Sequence, residues 1–411
     1  MDLENYSLNM KIVLISFASP LTSDEYVKKK SSRLKSLLAD ICSEESSIEC
    51  IASEEVDAIL ALILTGGVEQ QIAKLTKLGK PVLILTHHES NSLAAGLEAA
   101  SLLREENTPS WIIQLEAPDS VKKIERILKG VRAAQLIRGS KIGILGEPSP
   151  WLVYSGLNES ALREKLGVSV IHISLSEFFT LYDSSPIEKK LLDPVLRKLP
   201  KEAADRFEDI CKMTYALREL FRRYKLSGLT MNCFDIIKFK NIAPCLSASL
   251  LQDMGFTIGC EGDVPALVAM ILVRLISGTA SFIGNVIASQ GTRITLAHCT
   301  IPLSLTSGYE ITSHFESGVY PAIKGEMKPG MEATLLRFSP NYETLRAGAG
   351  LIVEGVRIEN GCRTQVTVDL GSNAGKILEK PLGNHHILAL GDLVEELKAF
   401  CKVMGIKFEE I

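Results

Sequence analysis

At 411 residues, with 46% hydrophobic and 23% charged side chains, the sequence is that of a globular chain too long for one core, and two or three domains are expected. Its 45 basic and 49 acidic residues give a formal net charge of -4, and aromatics make up only 6%, so there is no cationic surplus for nucleic acid or an anionic membrane and little material for stacking bases. Nine cysteines, odd in number and with no Cys-x-x-Cys spacing, argue against a zinc ribbon and a disulfide framework and for a reduced, cytoplasmic setting.

In chain order, the start MDLENYSLNM has neither the basic end nor the apolar core of a signal peptide. KIVLISFA is a β-branched run that reads as a buried strand. VDAILALILTGG, KPVLILTHH and PSWIIQLEA are further compact apolar runs. Between them, NSLAAGLEAASLLREE has apolar residues at helical spacing, with Asn91 or Ser92 as its N-cap. Alternating strands and helices imply a parallel sheet, so residues 1–138 form a first Rossmann-like α/β domain.

A second α/β domain is expected over residues 139–279. SKIGILGEPSPWLVYSG is a strand feeding a Gly/Pro-rich loop. VSVIHISLSEFF is a strand and turn, residues 186–223 read as helical, and LSGLTMNCFDII reads as a strand. APCLSASLLQDMG is a helix closed by Gly255, FTIGC a strand, and residues 264–276 an apolar helix interrupted by Arg274. That helix is too short to span a membrane, which needs about 18 apolar residues or more. Over residues 280–411 the pattern changes to short strands: GTRITLAHCTI, YPAIKGEM, EATLLRFSPN, ETLRAGAGLIVEG and CRTQVTVDL. LGDLVEELKAFCKVMG is a closing helix. This third domain is expected to be mainly β and barrel-like.

Four places carry candidate chemistry. In FTIGCEGDVPALV, Asp263 stands just before Val264-Pro265 and suits an N-cap. A cap does not account for Glu261, which follows a strand where parallel sheets bind ligands. Two carboxylates about a glycine can converge on a hard cation, or act as acid and base. In PLGNHHILALGD, His385 and His386 are adjacent, so an extended chain points only one of them at a given site, as a metal ligand or as a plain turn residue. His298 in LAHCTIP is beside Cys299 and among Leu296, Ala297 and Ile301, which suits either a packed histidine or a site contact. His87 and His88 end a strand of the first domain. The turns LTGG and GEPSPW match neither a P-loop nor G-x-G-x-x-G, so no nucleotide is expected.

CEGDVPALVAMILVRLISGTASFIGNV, LAHCTIPLSL and GNHHILALGDLVEELKAFCKVMGI together resemble the C-terminal half of the L-fucose isomerase-like proteins, within the L-fucose and L-arabinose isomerase superfamily. LILTGG, SNSLAAGLEAASLLR and KIGILGEPSPWLV are similar to the short, largely uncharacterised branch of that family. The resemblance implies two Rossmann-like domains followed by a β-barrel, and a divalent metal, usually manganese, held by two acids and a histidine. It implies aldose-ketose isomerisation through an enediol, a carboxylate shuttling the proton. Carried over, Asp263 and His385 are ligands, and the family's other ligand acid falls to Glu261 or to Asp235 upstream. Glu261 and Asp263 are thus expected as metal ligands and as the catalytic carboxylates, with His385 as third ligand and His298 on the sugar. A homo-oligomer, trimeric or hexameric, is implied as well. The expected function is metal-dependent isomerisation of a small sugar, with no nucleic-acid or membrane partner. The alternative is a non-catalytic carbohydrate-binding protein that retains the fold.

Overall fold

The computed structural model describes residues 10–39, 41, 56–355, 357–371 and 374–411. The first nine residues, Cys42 and Cys50 lie outside that set. The chain divides into two compact units, Asp2–Gln135 with Lys398–Val403, and Leu136–Leu397 with Met404–Ile411. The sheets of the second and third expected domains therefore share one unit. Among the described residues no helix is long and apolar enough to cross a membrane.

The first unit holds a parallel sheet of β1 (Ile12–Phe17), β2 (Ala58–Ile63), β3 (Val82–Thr86) and β4 (Ser110–Gln114), in that order. Every residue of β2 and β3 is buried, as expected of parallel strands covered on both faces. Alternate side chains feed two cores, Leu60, Leu62, Leu83 and Leu85 on one face and Ile59, Ala61, Ile63 and Ile84 on the other. The helix α1 (Ser92–Glu105) packs on the second face through Ala95, Ala99 and Leu103. Its cap differs from the expected one. Asn91 occupies the cap position in the left-handed region, φ 56°, and its side chain caps nothing. Ser92 instead accepts the His87 N–H at 3.1 Å and donates to the Ile63 carbonyl at 2.7 Å. His87 is buried with Nε2 3.0 Å from the Leu64 carbonyl, and His88 is paired with Glu116 at the surface. His87 belongs to the packing of this unit and His88 to its surface.

The second unit holds a parallel sheet and a barrel. The sheet has β5 (Lys141–Leu145), β6 (Ser169–Ile173), β7 (Gly228–Met231) and β8 (Ile258–Cys260), in the order β6-β5-β7-β8. The helical reading of residues 186–223 holds only for its second half. Short 3-10 turns and a one-turn helix precede α2 (Phe207–Tyr224), because Pro194 and Pro200 exclude a continuous helix. The expected strand LSGLTMNCFDII ends at Met231, where the Asn232 side chain caps α3 (Cys233–Lys240) by accepting the Asp235 N–H at 3.2 Å.

The barrel is built from β9 (Phe282–Gln290), β10 (Arg293–His298), β13 (Glu332–Phe338), β14 (Thr344–Val353), β15 (Thr364–Asp369) and β16 (His385–Leu390). Their antiparallel pairings run β13-β16-β9-β10-β15-β14 and return to β13, closing the ring. A hairpin of β11 (Gly308–Thr312) and β12 (Ala322–Glu326) stands apart from it. The last strand, β17 (Lys407–Glu410), follows the closing helix and pairs parallel with β14. The helix α4 (Val264–Ser277) joins sheet to barrel, packing on β7 and β8 on one side and β13 and β16 on the other. Only Leu275 and Ser277 of this helix are less than fully buried, which is why it is apolar all round. Arg274, the interruption, is buried too, with its guanidinium on Thr257 Oγ1 and the Gln252 carbonyl.

Candidate metal centre

The N-terminus of α4 and the first residue of β16 meet because α4 packs on β16. Glu261 and Asp263 arrive in the turn from β8 into α4. Glu261 has φ 61° and Gly262 φ 76°, two successive left-handed residues that turn the chain sharply. A Cβ on Gly262 would lie 2.5 Å from Pro148 Cα, so this glycine is dictated by contact as well as by φ. The Glu261 carbonyl accepts the Ser149 N–H at 2.8 Å, which ties the turn to the loop after β5. His385 begins β16 opposite Asn285 of β9, and Asn285 stands opposite Ala297 of β10 on its other side. His298, the last residue of β10, is thereby brought beside His385, with ring centroids 5.6 Å apart.

One ligand atom from each of Glu261, His298 and His385 lies within 4.8 Å of the others. Glu261 Oε1 is 3.5 Å from His385 Nε2 and 3.7 Å from His298 Nε2, too far for good hydrogen bonds. Both ring nitrogens of His298 and Nε2 of His385 are buried without a hydrogen-bond partner. Buried polar atoms are seldom left unpaired without a reason, and two imidazole nitrogens, Nε2 of His298 and Nε2 of His385, facing one carboxylate oxygen could hold a metal ion. Burial pushes the Glu261 carboxyl up, but the two imidazoles outweigh it and hold it well below the usual carboxylate range. Its other oxygen, Oε2, accepts the Trp151 indole N–H at 2.6 Å, which leaves Oε1 for the cluster.

Asp263 occupies a different place. Its Oδ1 accepts the Ala266 N–H at 2.9 Å, so it does cap α4. Arg337 Nη1 donates to both its oxygens at 3.0 and 2.9 Å, and His385 Nδ1 lies 3.0 Å from Oδ2. Asp263 and Arg337 are both fully buried. Arg337 is satisfied in turn by Ser155 Oγ at 2.6 Å and the Leu382 carbonyl at 3.0 Å. Burial raises the Asp263 carboxyl, and the guanidinium together with His385 more than offsets this and keeps it ionised. Burial likewise disfavours the charged form of His385, but Asp263 and Glu261 prevail and raise its pKa to about 9. The expected trio of Glu261, Asp263 and His385 is thus brought together as two layers. Glu261, His385 and His298 face one another, and Asp263 stands behind His385 on its Nδ1 side.

A small cavity of about 20 Å³ adjoins the cluster, lined among others by Glu261, His298, Asn285, His314, Glu316, Cys299 and Cys362. That is room for one water or ion and not for a sugar. Glu316 lines it yet is exposed, so it marks the mouth. Partial burial and the charge of Glu261 push the Glu316 carboxyl up. Trp151, half exposed, stands edge-on to Phe234, which stands edge-on to His314. His386 points away from the cluster and is buried, and its pKa falls to about 3 through burial and the nearby Arg337. Asp235 sits in the first turn of α3 and is not part of the lining. Arg337, Trp151, His314 and Glu316 escaped the sequence reading, since each lies in an ordinary strand or loop context and owes its role to partners distant in sequence.

No family model matches the chain. Similar proteins include the sulfoquinovose isomerase of Priestia aryabhattai, 23% identical over 397 residues that cover 88% of this chain and 86% of that one. The sulfoquinovose isomerase of Alkalicoccus urumqiensis is 23% identical over 350 residues, covering 78% and 76%. That of Clostridium sp. (strain MSTE9) is 21% identical over 358 residues, covering 82% and 79%.

Proposed function

We propose that this protein is a sugar isomerase that interconverts an aldose and a ketose, with a divalent cation held by Glu261, His298 and His385. The observation that carries the reading is the buried Glu/His/His cluster with its unpartnered nitrogens. Similarity to sulfoquinovose isomerases over most of the chain supports the reaction class. In this reading His298 joins the ligands, and Asp263, whose oxygens are taken up by Arg337, Ala266 and His385, orients a ligand.

When bound, a divalent cation polarises neighbouring oxygens of the sugar. The protein's own groups do the rest. Asp263 accepts Nδ1–H of His385, which fixes the tautomer and leaves Nε2 free to act as a ligand. Trp151 holds one oxygen of Glu261 and leaves the other turned to the histidines. The cavity accommodates the ion alone, so the sugar lies at the mouth, beside Trp151 and Glu316. Isomerisation requires a group that takes a proton from one carbon and returns it to the next. Glu261 and Asp263, the expected catalytic carboxylates, are both held as anions and give up that state reluctantly. Glu316, pushed the other way, is the carboxyl suited to carry the proton, following the rule that environments which separate two acids assign their roles.

Manganese is the first ion to try. A sulfonated hexose, from the relatives' names, and L-fucose are the first sugars. A cytoplasmic homo-oligomer, trimeric or hexameric, belongs to the same proposal. The test is metal analysis of the purified protein, then chromatography of aldose and ketose after incubation with Mn2+ and a sugar panel. Conversion of at least one sugar, abolished by chelation, is expected. Sugar binding with no conversion by the loaded protein would leave the carbohydrate-binding alternative in its place.

A further inference from the structure

We propose that Cys299 and Cys362 form a reversible dithiol-disulfide site in the wall of the metal cavity. The strands that carry them, β10 and β15, are paired with His298 opposite Thr364, the last pair of that ladder. Cys299 and Cys362 therefore lie on the two chains just past the ladder's end, one step out of register. Neighbours offset in this way lie about 6 Å apart at Cα, from roughly 5 Å across the pair and roughly 3.4 Å along it. A disulfide spans such a separation. Within a ladder their side chains would point to opposite faces. Beyond it the pleat no longer applies, and both residues line the same small cavity, close enough for the two thiols to feel each other.

Both thiols line the cavity beside Glu261 and His298. Cys299 is buried, its sulfur receiving the Phe315 N–H at 3.4 Å. Cys362 is partly exposed and lies in irregular chain, so an oxidant reaches the pair from its side. The chemistry balances with hydrogen peroxide as the oxidant. Two S–H bonds and the O–O bond break, one S–S bond forms, and two electrons pass from sulfur to peroxide oxygen, giving two waters. A thiol reductant reverses it. Closing the bridge draws Cys299 towards Cys362 and shifts its chain neighbour His298. This consequence, which rests on the metal reading above, is a lower affinity for the divalent cation.

The test uses the full chain, reduced or treated with peroxide, followed by peptide mapping and by calorimetric titration with Mn2+. The expected results are loss of two hydrogens by mass, a mapped Cys299–Cys362 bridge, and Mn2+ binding weakened at least ten-fold, all reversed by dithiothreitol. Oxidised Cys362→Ser should form no such bridge and bind Mn2+ as its reduced form does. Oxygen addition alone, or a bridge between other cysteines, overturns the site. A mapped bridge with unchanged Mn2+ affinity overturns the coupling to His298. If Mn2+ binds to neither state, the metal reading fails, while the peptide map still decides whether the bridge exists.

Discussion

Asp263 shows how one carboxylate can serve a helix and a site together. Were it only an N-cap, Asp263→Asn would cost a few tenths of a kcal/mol, because Asn caps about as well. The buried Arg337 changes that expectation. Removing the charge from one partner leaves a desolvated guanidinium without its counter-ion, which costs about 3–5 kcal/mol. Asp263→Asn and Arg337→Met should therefore each lower the denaturant midpoint strongly. The double variant should lose less than the sum, since it leaves no lone charge. Additive losses in the urea melts would show that the pair does not act as a unit. His298 makes the opposite case. Its two ring nitrogens have no hydrogen-bond partner to lose, and its ion-pair contact with Glu261 is long at 3.7 Å, so His298→Gln should melt within a few degrees of the wild-type protein and yet lose Mn2+ affinity at least ten-fold. A large fall in melting temperature with unchanged Mn2+ binding would return His298 to the core.

The turn between β8 and α4 is the element on which the site depends. Gly262 should be irreplaceable there, since Ala must adopt φ near 76° and place its Cβ 2.5 Å from Pro148 Cα. Left-handed backbone alone costs about 1–3 kcal/mol for a non-glycine residue, and the clash with rigid backbone adds to it. Gly278, at the other end of α4, has φ 73° but nothing within 4 Å of its would-be Cβ. Gly278→Ala should therefore cost only the backbone strain and leave Mn2+ affinity intact, whereas Gly262→Ala should displace Glu261 and weaken binding. Equal effects of the two in melting and titration would remove the steric argument. This element was half legible. Pro265 and Asp263 announced the helix start, and Glu261 stood out at a strand end. That β8 would be followed by two left-handed residues was not, because the turn is tied down by hydrogen bonds from Ser149 and Trp151, more than a hundred positions away. Two misread stretches have a different, local cause. Pro194 and Pro200 were visible breakers inside residues 186–223, and Asn232 was a visible cap. The pairing of β17 with β14 depends on a register that four residues of local pattern do not specify.

Across the whole chain, the alternation of buried runs and helices made the two parallel sheets and the barrel-like β region readable, whereas the order of strands around the barrel and the long-range charge pairing were not. Arg337 in LLRFS looks like an exposed strand residue, yet it is fully buried, and only its partners 74 and 182 positions away explain it. Such burial has a consequence for stability against pH. His386 and His314 are buried, and burial lowers their pKa values to about 3 and about 4, with Arg337 assisting at His386 and His298 at His314. A histidine whose folded pKa is depressed stabilises the fold above its unfolded value near 6.5, and that contribution is lost as pH falls towards the folded value. His385, raised to about 9, has the opposite sign. Its contribution is complete below pH 6.5 and is lost only as pH rises towards 9, so it adds no slope on the acid side. Glu261 and Asp263, both depressed, also lose their contribution towards acid, but only below the ordinary carboxylate range. Between pH 6.5 and 4.5 these two neutral histidines should then set most of the slope, with His87, also lowered by burial, adding to it in the same direction, each proton excluded from the folded state being worth about 1.4 kcal/mol per pH unit. Stability of the metal-free protein should fall by about 5 kcal/mol over that window, a large part of the 5–15 kcal/mol typical of a domain. Urea melts at half-unit intervals measure the slope, and His386→Asn should roughly halve it. A flat profile from pH 6.5 to 4.5 would mean that these histidines are not held neutral by the fold.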